Sequence, residues 1–178
     1  MTQEVIENNG KLKSFIIFQI GWEQFAIDFL DVKEIIQAGQ IRKLPKSLDF
    51  VEGIYNYRGE IIHIINLKKK LKLDDYLLYK SRLNSIDDDG NGSNSKHIII
   101  LSIKNTHIGF IIDRIISIAD VNDKNIIALS PIFQTSVGVE YIKGIIKLED
   151  KPRIVINLKR IAGEVEENAI SKEISSKT

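Results

Sequence analysis

The chain has 178 residues, 25 of them basic and 24 acidic, for a formal net charge of +1; that length suits one compact domain or two small ones sharing a core. The charge balance argues against a protein held to nucleic acid by general electrostatics, and a 43% hydrophobic content argues against a chain disordered throughout. The absence of cysteine excludes disulfides, thiolate metal sites and cysteine nucleophiles.

Residues 1–14 (MTQEVIENNGKLKS) hold no apolar run of signal-peptide length and read as a mobile N-terminal segment. Short isoleucine-rich runs follow, bounded by polar residues or glycine. β-Branched residues are stiff at χ1 and fit a pleated surface, so such runs read as strands. In the first half the expected strands are Phe15–Ile20, Gln24–Phe29, Val32–Ala38, Val51–Tyr57 and Glu60–Asn66. Tyr57-Arg58-Gly59-Glu60 reads as a hairpin tip in which Gly59 can take positive φ. Leu67–Leu73 predicts a short helix. Leu83–Lys96 (LNSIDDDGNGSNSK) has almost nothing to bury and reads as a flexible insert. The second half offers His97–Ile103, His107–Ile112, Arg114–Val121, Tyr141–Leu148 and Pro152–Asn157 as strands, then a helix over Ala162–Ile174 within the terminal segment 162–178. The longest strictly apolar run, Ile98-Ile99-Ile100-Leu101, is too short to span a membrane, so a cytoplasmic protein is expected.

Two segments repeat. Phe50–Lys70 (FVEGIYNYRGEIIHIINLKKK) aligns without a gap on Tyr141–Ile161 (YIKGIIKLEDKPRIVINLKRI), placing Gly53-Ile54 on Gly144-Ile145 and Asn66 on Asn157. A duplicated hairpin followed by a turn, with five strands in each half, predicts a mainly β fold of two small barrels, one over 15–82 and one over 97–161, with a groove between them.

Conventional site chemistry is sparse. Asp87, Asp89, Asn91 and Gly92 match the opening of a calcium loop, but Ile98 stands where its bidentate glutamate belongs. The three histidines lie at 63, 97 and 107; two facing imidazoles, as at His97 and His107 across a hairpin, make a poor zinc site. No nucleophile elbow or carboxylate pair stands out. Lys68, Lys69, Lys70 and Lys72 form a basic run, but the aromatics a nucleic-acid stacking platform wants are not interleaved with it. What remains is binding: Tyr55, Asn56, Tyr57, Arg58 and Gly59 place aromatic, amide and guanidinium groups at one hairpin tip, and arginine and tyrosine are enriched in interface hot spots.

The residues resemble a known family. Gln24–Ile36 (QFAIDFLDVKEII), Leu44-Pro45, Gly53-Ile54-x-Asn56-x-Arg58-Gly59-x-Ile61-Ile62 and Ile65-Asn66-Leu67 are similar to CheW, the coupling protein of chemotaxis. Gly109-x-x-x-Asp113-x-Ile115 and Tyr141-Ile142-x-Gly144-Ile145 extend the similarity to about residue 161. The resemblance implies two SH3-like five-stranded β-barrels and a non-enzymatic scaffold without metal or cofactor. The expected partners are the cytoplasmic tips of chemoreceptors and the regulatory domain of the kinase CheA, with other CheW copies in rings, the membrane being reached only through receptors. It also implies a receptor-tip site in the groove, carried over onto Val32, Glu34, Gly53, Asn56, Arg58, Gly59 and Gly109. Arg58 and Glu34 are expected as a charge pair, and Ile35 and Ile54 as apolar contacts beside Val32. Departures are His63 and Asn66, where the family often has proline and aspartate, Tyr57 in place of an aliphatic residue, and a longer insert. The competing readings are an adaptor of another chemosensory pathway and a small-barrel nucleic-acid binder using Lys68–Lys72.

Overall fold

The computed structural model describes residues 10–73, 96–130, 132, 138–148 and 151–176. The insert, apart from Lys96, and the calcium-like residues fall outside them. The described strands are β1 (Leu12–Ile20), β2 (Glu23–Asp28), β3 (Glu34–Gln37), β4 (Val51–Tyr57), β5 (Glu60–Asn66), β6 (His97–Ile103), β7 (Thr106–Ile112), β8 (Arg114–Asn122), β9 (Ile126–Ile127), β10 (Ile142–Lys147) and β11 (Pro152–Ile156). The helices are α1 (Leu67–Lys70) and α2 (Leu158–Ser176). Every expected strand is present, and β9 is an addition too short to leave a periodic signal.

Boundaries moved for local reasons. The Asp28 carboxylate accepts from the Leu30 N–H at 3.0 Å and opens a 3-10 turn over Phe29–Asp31, which ends β2 at Asp28 and delays β3 to Glu34. α2 starts at Leu158, not Ala162, because the Asn157 side chain accepts from the Arg160 N–H at 3.1 Å and caps it.

The strands form a six-stranded sheet in the order β8-β1-β2-β11-β10-β9 and a five-stranded sheet in the order β3-β6-β7-β5-β4. This corrects the expected division at the insert. β3 to β7 make one sheet, whereas the N-terminal hairpin β1–β2 joins β8 to β11 in the other. The chain crosses between sheets at Phe29–Lys33 and again at Asp113. Parallel neighbours cannot be joined by a tight turn. Each sheet has one parallel pair, β2–β11 (Phe25 beside Ile154) and β5–β7 (Ile64 beside Gly109), and in both pairs the strands are distant in sequence.

Both sheets close in the same way. The segment after β3 returns to β4 through two backbone hydrogen bonds between Arg42 and Ile54, of 2.8 and 2.9 Å. After β8, β9 returns to β10, placing Ile127 opposite Ile145. Each barrel therefore amounts to five strands, one of them bent.

Side-chain alternation divides the apolar residues three ways. Phe15, Ile17, Ala26, Val121, Ile146 and Val155 fill one barrel. Tyr57, Ile62, Ile64, Ile98, Ile100 and Ile111 fill the other. The opposite faces, including Ile16, Phe18, Phe25, Ile27, Ile65, Ile99, Leu101 and Phe110, meet in a shared core that Leu67 of α1 and Leu158, Ile161 and Val165 of α2 complete. Each fully buried side chain of this kind contributes roughly 1.5–3 kcal/mol, so the barrels are joined as one body. The expected groove is thus mostly filled. Val32, Ile35 and Ile115 are among the partly buried residues that pack against the shared core from its rim.

Candidate functional site

The β4–β5 hairpin turns through Arg58 and Gly59, with Tyr57 paired to Glu60. Arg58 has φ +53° and Gly59 φ +88°. Positive φ at both central residues is the geometry of a type I′ turn, normally filled by Asn-Gly or Asp-Gly. Asn56 holds the turn by accepting from the Gly59 N–H at 2.9 Å. Left-handed geometry costs a non-glycine residue about 1–2 kcal/mol.

Glu34 of β3 receives two donors. Arg58 Nη2 lies 3.0 Å from its Oε1, and the Tyr57 hydroxyl donates to its Oε2 at 2.5 Å. The Arg58 side chain is 72% exposed, and an ion pair that open contributes about 0–1 kcal/mol. That is of the same order as the cost of the left-handed arginine, and Lys46, Lys72 and Lys104 also take positive φ, so the outward guanidinium, more than the backbone, is what marks this turn. Tyr57 is only 5% exposed. Its hydrogen bond to Glu34, together with burial, raises its pKa above the ordinary phenol value. Its ring lies under the Arg58 guanidinium at 5.3 Å and meets His107 edge-on at 5.7 Å. His107 Nδ1 is 2.5 Å from Glu60 Oε2.

The structure sorts the expected site residues into groups. Glu34, Asn56, Arg58 and Gly59 come together at the tip. Val32 and Ile35 are partly buried against the shared core. Ile54 is half-buried in the Arg42 ladder. Gly53 and Gly109 are internal. A Cβ on Gly53 would sit 2.2 Å from the Arg42 carbonyl oxygen, at φ +154°, and one on Gly109 would sit 2.6 Å from Ile64 Cδ1. Their smallness serves backbone approach and core packing. Tyr57, read from the sequence as an aromatic group of the hairpin tip, faces the barrel interior; alternation along β4, with Asn56 outward, carries that information.

Other sequence candidates resolve differently. His97 and His107 do not face one another, since His97 pairs with Ile112 and His107 with Ser102. Among the described residues no three His, Cys, Asp or Glu side chains gather to hold a metal. The basic run is split: Lys69 pairs with Glu52, while Lys70 turns inward to Glu164 at 3.7 Å and over the rings of Phe50 and Tyr141. No helix among the described residues is long and apolar enough to cross a membrane.

Comparison with known proteins agrees with this architecture. The model of the CheW-like domain family matches residues 14–166. The chain is 33% identical to the chemotaxis protein CheW of Treponema pallidum over 153 residues, covering 86% of this chain and 84% of that protein. It is 27% identical to the CheW of Thermotoga maritima over 159 residues, covering 86% and 91% respectively. The solved structure of the scaffolding protein TtCheW from Thermoanaerobacter tengcongensis superposes with a TM-score of 0.65 at 29% identity, covering 82% of this chain and 89% of that one. With two SH3-like barrels, a duplicated hairpin and a family match over most of its length, the chain belongs to the CheW family of chemotaxis scaffold proteins.

Proposed function

We propose that this protein couples the cytoplasmic tips of chemoreceptors to the histidine kinase CheA, as a non-enzymatic adaptor in the cytoplasm, recruited to receptor arrays. The observation that carries the reading is the left-handed Arg58 at the β4–β5 tip, held by Glu34 with most of its guanidinium in solvent. An arginine fork can satisfy one carboxylate and still offer donors to a second partner. Val32, Ile35 and Ile54 supply apolar area for a helical hairpin laid along the rim of the shared core, and Asn56 and Gly59 shape the turn that presents Arg58. Gly53 and Gly109 act from inside, by keeping the hairpin and barrel in register. Signal passes as differential affinity between array states, with no chemistry on this chain.

Calorimetry with a receptor-tip fragment and, separately, with the CheA regulatory domain tests this. Both should bind the unmodified protein. Arg58→Glu should weaken the receptor fragment at least tenfold, about 1.4 kcal/mol, and leave the kinase domain's affinity as it was. Full receptor affinity in the Arg58→Glu protein removes the tip from the receptor site.

A further inference from the structure

Resting on that reading, the geometry points to Tyr57 as a positioning residue that divides the Glu34 carboxylate and so keeps Arg58 available to a partner. Arginine and carboxylate ordinarily close as a two-point fork, with both carboxylate oxygens on the guanidinium. Here they do not. The Tyr57 hydroxyl occupies Oε2 at 2.5 Å, and Arg58 reaches only Oε1, through Nη2 at 3.0 Å. Among the described residues, Nε and Nη1 of Arg58 have no hydrogen-bond partner. The Tyr57 ring lies beneath the guanidinium, 5.3 Å from it, and supports it from the side away from solvent.

The phenol is itself held. Tyr57 is almost fully buried among Ile62, Ile64, Ile98, Ile100 and Ile111. His107 packs edge-on against its ring, and Glu60 fixes His107. Tyr57 therefore has little freedom to leave Glu34. The chemistry so exposed suits an acceptor oxygen on the partner. A two-point Arg58–Glu34 fork would have consumed those donors.

The test is Tyr57→Phe, which keeps the ring and removes only the hydroxyl. Glu34 Oε2 is then released to Arg58, the fork closes, and hydrogen exchange of the Arg58 side-chain N–H groups, followed by NMR on the free protein, should slow several-fold. Unchanged or faster exchange overturns the proposal, and this readout needs no receptor. In the calorimeter, Tyr57→Phe should weaken the receptor-tip fragment by about three- to tenfold, up to ~1.4 kcal/mol. In a Glu34→Gln background, the same substitution should change that affinity less than about twofold, because the carboxylate it acts through is gone. Equal losses in both backgrounds would mean a merely structural tyrosine and would also overturn the proposal. If Arg58→Glu itself leaves receptor binding intact, it is the receptor assignment that fails, and the exchange experiment alone decides the role of Tyr57.

Discussion

The hairpins β4–β5 and β10–β11 share a skeleton down to single atoms. Each has a register shift at its glycine, Gly53 in one and Gly144 in the other. In each, an asparagine N–H donates at 2.7 Å to the residue that opens the repeat, Asn66 to Phe50 and Asn157 to Tyr141. Each asparagine side chain then caps the following helix at 3.1 Å. They differ in what their side chains do. The second copy spends its polar groups internally: the Tyr141 hydroxyl donates to Glu164 at 2.6 Å, and burial with that bond pushes its pKa up to about 12. Lys143 joins Lys159 on Asp31, at 2.8 and 2.7 Å, across to the crossover before β3. The first copy carries Arg58 out on a turn that arginine fits poorly. Duplication thus supplied a scaffold twice, and the first copy departs from good local chemistry at its tip, where a functional site is expected to do so.

Substitutions in the two hairpins test this contrast. The largest effect should come from the bulge glycines. Gly53→Ala brings a Cβ within 2.2 Å of backbone at positive φ, while Gly144→Ala brings one within 2.8 Å of the Ile127 carbonyl oxygen. Urea unfolding should show Gly53→Ala costing about 3 kcal/mol or more and Gly144→Ala roughly 1–2 kcal/mol. The reverse order would deny that the first copy is the more tightly constrained. Asn66→Ala and Asn157→Ala should each cost about 0.5–2 kcal/mol as lost caps; a large inequality between them would mean the helices are held differently.

Asp31 gives a pH signature to the second copy. Burial opposes its charge, but the hydrogen bonds and charges of Lys143 and Lys159 outweigh this and hold its carboxyl below the usual carboxylate range. A depressed folded-state pKa contributes stability above the unfolded value that is lost as pH falls through the folded value. Asp31→Asn should therefore make acid unfolding less steep below about pH 4, and an unchanged acid limb would contradict the linkage. The smallest change in stability should come from Arg58→Asn, which suits the left-handed turn better. It should raise stability by about 0.5–1 kcal/mol while weakening receptor binding.

Much of this was legible beforehand, and the misses have physical causes. Short isoleucine-rich runs marked every long strand, because strands buried on both faces read as continuous apolar stretches between polar bounds. The repeat marked the bulge glycines and, through Asn66 and Asn157, the start of α2; reading Leu158–Ile161 as helix required trusting the alignment over the isoleucines before it. Sheet membership was hidden because β1–β2 pairs with β11 through a parallel contact that leaves no turn signature. Arg58 with Glu34 was expected only through the resemblance to the CheW family, since two residues 24 apart carry no local signal of contact. Tyr57 was visible only as an aromatic residue, since its hydroxyl is placed by a fold that brings β3 against the end of β4.

The most direct measurement is a charge exchange between Arg58 and Glu34, read by calorimetry against a receptor-tip fragment. Arg58→Glu should lose at least tenfold in affinity, about 1.4 kcal/mol. Arg58→Glu combined with Glu34→Arg should restore the pair's attraction within the hairpin without restoring binding, because the outward donors are no longer on the turn. Binding restored in full by the exchange, or never lost, would show that the tip serves the fold and not the partner.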